Sequence, residues 1–184
     1  LLKWMGFLLA AFGFVWSMQL FIAGNAYYSV KNSIEVWQLS PDKASTQKVN
    51  SALDKIDNAL NYFPNNALYY QIQGQLFEWK AITEAETKNT DSTKTDLTNK
   101  VFNLQEAAKS YEKSLKLRPN WSGSWIGLAS VKRQQGELDD EFYSYLESAN
   151  RAGPQDAILH KFIVDFGLQV FNARSFHYVK IKER

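Results

Sequence analysis

The sequence predicts an all-α protein in which a single N-terminal transmembrane helix is followed by a stack of helical hairpins, one of them elongated. Three observations predict it. Trp4 to Gly24 is a run of twenty-one residues with no formally charged side chain, and only Ser17 and Gln19 in it are clearly polar. Turn residues recur at a spacing near 34, with Pro119-Asn120 one such period before Gly153-Pro154. Between the turns, apolar residues return every three or four positions, the period of an amphipathic helix.

The apolar run reads as a membrane span. At 1.5 Å per residue, about twenty helical residues cross the roughly 30 Å hydrocarbon layer, and a lone segment satisfies its backbone groups there only as a helix. The run is longer than the 7–15-residue apolar region of a signal peptide. Lys3 before it and Gly24 and Ala26 behind it would nonetheless suit a cleaved leader, which would leave a secreted or periplasmic repeat protein. The chain opens on Leu1 rather than Met, so upstream sequence is expected. With Lys3 on one side and Lys31 and Lys43 on the other, charge does not decide the topology. Gly6, Ala10, Gly13, Ser17 and Gly24 fall on one stripe of the helix, and Phe7, Leu8, Phe12, Phe14, Val15 and Phe21 lie opposite. A stripe of small residues lets helices approach closely in lipid, and Gln19 could hydrogen-bond across such a contact. These five residues and Gln19 are the expected contact with an integral membrane protein partner or with a second copy of the chain.

The remainder is polar enough to dissolve and nearly neutral. With Lys3 set aside it carries 20 Lys and Arg against 19 Asp and Glu, which is no nucleic-acid footprint. The chain has no cysteine, which excludes disulfides, thiolate metal sites and cysteine nucleophiles. Its two histidines, His160 and His177, have no metal or nucleophile grouping near them in sequence. There is no glycine-rich phosphate loop, no Gly-x-Ser-x-Gly and no His-Glu-x-x-His. Asp139-Asp140-Glu141 follows the turn at Gln135-Gly136 and most simply supplies negative charge to a helix start. Asn120-Trp121-Ser122 matches a glycosylation sequon but is adequately explained as a repeat turn. No catalytic residue, metal or cofactor is expected.

The turn spacing leads to a resemblance. Trp125, Leu128 and Ala129, then Gly136 and Tyr145, fall at the large, large, small, turn-glycine and aromatic positions of a tetratricopeptide repeat, and the chain resembles that family from about residue 48 to 171. Ala107, Tyr111, Ser114, Leu115 and Leu117 fit a second helix leading into Pro119. Ala52, Ile56, Ala59 and Leu60 do the same before Pro64, and Tyr70, Gly74 and Phe77 open the next first helix. Leu159, Phe162, Ile163 and Phe166 make the apolar face of a last helix. The chain departs from the pattern at Gln73, where leucine is usual, at Lys132, where an aromatic is usual, and at Glu141, where alanine is usual. Such hairpins cannot bury their apolar stripes singly, so they stack around a shared core.

One hairpin is stretched. Gly74 and Ala107 are 33 residues apart, against about twelve between the corresponding positions of a regular repeat. The helical spacing of Glu78, Trp79, Ala81, Glu84 and Ala85 on one side, and of Leu97, Val101, Leu104 and Ala108 on the other, predicts longer arms with a polar tip over Lys88 to Lys100. That tip is either a solvated loop or a lever reaching a partner. Upstream, Asn25 to Leu39 can continue the membrane helix up to Pro41, with Tyr27 and Tyr28 at headgroup level, and can supply the first helix of the first repeat. The expected division is an anchor over residues 1–26, an amphipathic extension and linker over 27–47, the repeat domain over 48–171 with its insertion at about 80–100, and a basic-aromatic tail over 172–184.

In the tetratricopeptide family the first helices line a concave surface. The resemblance implies that Leu68, Gln71, Ile72, Gln75 and Trp79 from one repeat and Ile126, Ser130, Arg133 and Gln134 from the next face a bound peptide or helix. A small groove favours one fixed partner. The layout also resembles the VpsP-type accessory proteins of bacterial exopolysaccharide biosynthesis, through Val15-Trp16-Ser17, Ala26-Tyr27-Tyr28 and the repeat turns. That resemblance implies a single-pass protein of the bacterial inner membrane with its C-terminal domain periplasmic, supporting polysaccharide assembly. The function expected is a non-catalytic membrane-anchored adaptor bound to a membrane protein in the lipid bilayer, or alternatively a self-associating scaffold.

Overall fold

A computed structural model describes residues 2–86 and 93–172; the tip of the long hairpin and the tail beyond Asn172 lie outside the described residues. The protein is all-α: α1 (Leu2–Leu39), a 3₁₀ turn at Pro41–Lys43, α2 (Thr46–Tyr62), α3 (Ala67–Glu86), α4 (Thr93–Leu117), α5 (Ser122–Gln135), α6 (Asp140–Ala152) and α7 (Ala157–Asn172). The breaks follow local chemistry. All four prolines stand in the turns, where they interrupt the backbone ladder. Ser45 caps α2 by accepting from the Lys48 N–H, and Asp139 caps α6 by accepting from that of Phe142. α5 ends at Gly136, whose φ of 77° is a left-handed conformation that a side chain would strain.

α1 has two halves with different surroundings. From Trp4 to Phe21 its large apolar side chains are exposed, Phe14 and Phe21 by more than 70%, and the helix is long and apolar enough to cross a membrane. From Ala23 onward the same helix turns Val30, Ile34 and Trp37 into a core shared with Val49, Leu53 and Ile56 of α2 and with Ile72 and Leu76 of α3. Tyr27 meets the Tyr69 ring at 5.8 Å and Trp37 meets that of Trp79 at 5.8 Å, so α1 and α3 run parallel in register. α1, α3 and α5 are thus the first helices of three successive hairpins, α2, α4 and α6 the second helices, and α7 closes the stack.

The core is relayed along the chain. Phe77 packs on both the first cluster and the next, formed by Ala81, Leu104, Ala107, Tyr111 and Leu128. Phe142 and Tyr143 then pack on Phe166 and Val170 of α7. α3 has 20 residues and α4 has 25, against 14 and 13 in α5 and α6, so the long arms are present. Where the sequence suggested a polar tip as far as Lys100, helix already begins at Thr93. The extra turns expose Leu97, Val101 and Phe102.

The departures from the repeat pattern find partners. The Lys132 ammonium lies 2.7 Å from the Glu141 carboxylate, 2.9 Å from Glu137 and 3.0 Å from Asp139, so two of the three unusual residues form an ion pair. This contact drives the Lys132 pKa upward and holds that of Glu141 below the usual range. Gln73 donates to Asp57 at 2.7 Å and accepts from the Ser110 hydroxyl at 2.9 Å.

Close approach of the helices depends on two glycines. A Cβ on Gly74 would sit 2.8 Å from the Tyr111 ring, and one on Gly127 less than 3.0 Å from the other side of it. Two outcomes are expected. Gly127→Ala gains up to about 1 kcal/mol of helix propensity but must displace a buried ring at a cost of roughly 1–3 kcal/mol, so thermal unfolding in detergent should shift several degrees lower. Gly13→Ala, with open space around it, should melt like the parent, and equal melting of both variants would refute the constraint. A Lys132→Met and Glu141→Ala double-mutant cycle should show a coupling of roughly 0.5–1 kcal/mol, the range of partly exposed pairs, and purely additive effects would refute it.

Candidate functional site

The parallel first helices enclose a groove of about 520 Å³. One wall is α3, through Gln71, Gln75, Trp79 and Ile82. The other is α5, through Ile126, Ser130, Arg133 and Gln134. Gln38 at the end of α1 and Ile158 and Phe162 of α7 close the two sides. Trp79 packs edge-on against Trp37, and the Arg133 guanidinium lies 4.6 Å over the Phe162 ring, where the ring face attracts the cation.

The floor holds a carboxylate. Glu78 accepts from the Tyr111 hydroxyl at 2.5 Å, from the Ser130 hydroxyl at 2.5 Å, and from the Gln134 amide. Tyr111 is buried, its ring against Gly74 and Gly127, and its hydroxyl meets Glu78. Burial raises the Glu78 pKa above the ordinary carboxylate range, with the Ser130 and Tyr111 hydroxyls, Arg133 and Gln134 opposing the rise. Burial, then the neighbouring Glu78 carboxylate, pushes the Tyr111 phenol well up. At the foot of the groove the Trp121 indole donates to Gln71 at 2.6 Å.

Of the residues expected from the sequence, Gln71, Gln75, Trp79, Ile126, Ser130, Arg133 and Gln134 line this one groove. Ile72 does not: it is buried in the core between α1, α2 and α3, because one step from Gln71 turns the side chain about 100° around the helix. Leu68, on the same stripe as Ile72, lines a separate depression with Trp16, Tyr62 and Arg118. Along α1, Gly6 and Gly13 have open space beside them. Ala10 is exposed, Gln19 and Gly24 are half-buried, and the Ser17 hydroxyl donates to the Gly13 carbonyl at 2.8 Å. Glu78, Tyr111 and Gly127 were not read as site residues. The available signal was Glu78 itself, the first charge of α3, spaced seven and three residues from Gln71 and Gln75 on the same face.

No known protein-family profile and no curated protein matches the sequence. Among solved structures, the chain is similar to a monomeric mutant of IFIT1 with Gppp-AAAA and to a second such mutant with m7Gppp-AAAA. Each gives a TM-score of 0.59 at 14% identity, covering 85% of this chain and 34% of IFIT1. This chain thus spans about a third of that protein, and the likeness is one of fold, a TPR-like stack of helices.

The buried carboxylate gives a pH signature. Between the ordinary glutamate range and its raised folded value, the folded state keeps a proton that the unfolded state has released, so stability falls as pH rises. In Glu78→Gln this dependence should vanish. The amide also turns donor toward donor, costing roughly 1–3 kcal/mol, so the gap between parent and variant should narrow as pH climbs through that window. Urea unfolding at stepped pH measures it, and a constant gap would exclude the assigned role.

Proposed function

We propose that the protein is a non-catalytic, membrane-anchored TPR-like adaptor whose groove holds a segment of a membrane-protein partner. The observation that carries this reading is the continuity of α1. Its first half presents exposed apolar surface over Trp4–Phe21, and its last turns brace the groove through Trp37 and Gln38. The groove chemistry suits a polypeptide. Amides of Gln71, Gln75 and Gln134 match backbone donors and acceptors, Trp79, Ile82 and Phe162 offer apolar surface, and Arg133 suits a carboxylate. A nucleic acid such as the Gppp-AAAA that accompanies the IFIT1 mutant fits less well, because the Glu78 carboxylate on the floor would repel phosphates and Arg133 is the one cation among the described residues lining the groove. The small stripe of Gly6, Ala10, Gly13, Ser17 and Gly24, with Gln19, supports a second contact with the same partner inside the bilayer. The VpsP-type resemblance supports an inner-membrane polysaccharide-assembly complex with the repeat domain periplasmic.

Affinity purification from mild detergent tests the reading. Arg133→Glu should lower recovery of the co-purifying partner at least tenfold, about 1.4 kcal/mol, with the helical spectrum unchanged. Gly13→Ile should weaken it independently by blocking the stripe. Full recovery with both variants would overturn the adaptor reading.

A further inference from the structure

The stack does not stand clear of the apolar half of α1. If it did, its nearest side chains would meet α1 beyond Gly24. Instead the Phe63 ring, in the turn between α2 and α3, packs edge-on against Trp16 at 5.9 Å between ring centres, and a depression lined by Trp16, Tyr62, Phe63, Leu117 and Arg118 joins the two surfaces. Trp16 is eight residues, about 12 Å, back along the helix from Gly24. The headgroup layer on each side of a bilayer is only about 5–8 Å deep.

The connectivity gathers three turns at this end: α2–α3, α4–α5 and α6–α7. The α4–α5 and α6–α7 turns are tied together, since the Ser122 hydroxyl donates to Asp156, and Ser122 also lies against Gly153. Their composition is interfacial. Tyr62 and Leu117 are 44% and 42% exposed, and Arg118 lies 3.9 Å over the Trp121 ring with its own surface open to solvent. Lys116, Arg118 and Arg151 stand at this end with Asp156, whereas at the opposite end the carboxylates Glu137, Asp139 and Glu141 are paired to the Lys132 ammonium. Aromatic, amide and basic side chains gathered at one end suit a phosphate-bearing surface.

We propose that this turn end is a second membrane contact: Phe63 reaches with Trp16 past the headgroups to the edge of the hydrocarbon layer, while Tyr62, Asn65, Leu117 and Arg118 sit in the phospholipid headgroup layer, with Arg118 on lipid phosphate. The proposal rests on the reading of α1 as a span and adds where the domain lies relative to the bilayer. The chain has no cysteine, so single-cysteine variants of the full chain can each carry one nitrobenzoxadiazole label in phosphatidylcholine–phosphatidylglycerol vesicles. Labels at Asn65→Cys and Leu117→Cys should be quenched by headgroup spin-labelled phosphatidylcholine at least twofold more than a label at Glu137→Cys. A label at Phe12→Cys should be quenched by acyl-chain spin-labelled lipid. Equal quenching at Asn65, Leu117 and Glu137, with Phe12 still quenched, overturns the headgroup contact alone. An unquenched Phe12 label overturns the span itself, and this contact with it.

Discussion

The side chain of Tyr111 fixes both the packing and the site. Its ring fills the gap between α3 and α5 where Gly74 and Gly127 leave no Cβ, and so sets how closely two successive first helices approach. Its hydroxyl donates to Glu78, and so sets what lies on the floor between them. A buried carboxylate costs several kcal/mol unless its lone pairs are met. Here Tyr111, Ser130 and Gln134 meet them from two different helices. Because those donors come from α4 and α5 while the acceptor is on α3, the network can close only when the repeat packing is correct. Groove width, groove polarity and helix register are therefore one constraint.

The same logic explains how a repeat with irregular positions holds together. Lys132 and Glu141 stand where a regular repeat has apolar residues, and alone each would disturb the packing. Together they form a short ion pair across α5 and α6, with Glu137 and Asp139 sharing the ammonium. Gln73 likewise joins α2 to α4 through Asp57 and Ser110. Buried Ser114 bridges the Ala67 carbonyl and Ser124. Polar pairs of this kind contribute little net stability, but they are directional. They hold helix register where an apolar stripe would tolerate sliding.

Much of the fold was legible because it depends on short-range rules. Pro64, Pro119 and Pro154 mark the turns, Gly136 marks a left-handed cap, and the apolar period marks the helices. Seven of the nine groove residues could be placed by helical phase. Ile72 was misplaced because a helix facing both a core and a groove turns from one to the other within a single residue. Thr93–Lys100 looked like loop because its Thr, Asn, Asp and Lys give no apolar stripe. Nothing in that stretch shows that the packed part of α4 behind it extends the helix. Glu78 and Tyr111 escaped notice for a different reason: they are 33 residues apart, and only the stacked fold brings a phenol to a carboxylate.

If the first half of α1 spans a bilayer as proposed, the continuity of that helix gives the groove a fixed height above it. α3 and α5 start from the same end of the stack as the turn that touches Trp16, and they run parallel to the second half of α1. Gln71, Gln75, Glu78 and Ile82 therefore climb away from that end, from roughly 6 Å to roughly 22 Å along α3 as measured from Ala67 at 1.5 Å per residue. A helix that packs along seventeen residues of its own domain, Ala23 to Leu39 with its buried positions at Val30, Ile34 and Trp37, cannot pivot as a flexible linker would. On the membrane reading, the segment that fills the groove must come from the part of a partner within a few residues of its own membrane boundary. Pairing of spans and filling of the groove would then be two ends of one rigid contact, each raising the effective concentration of the other.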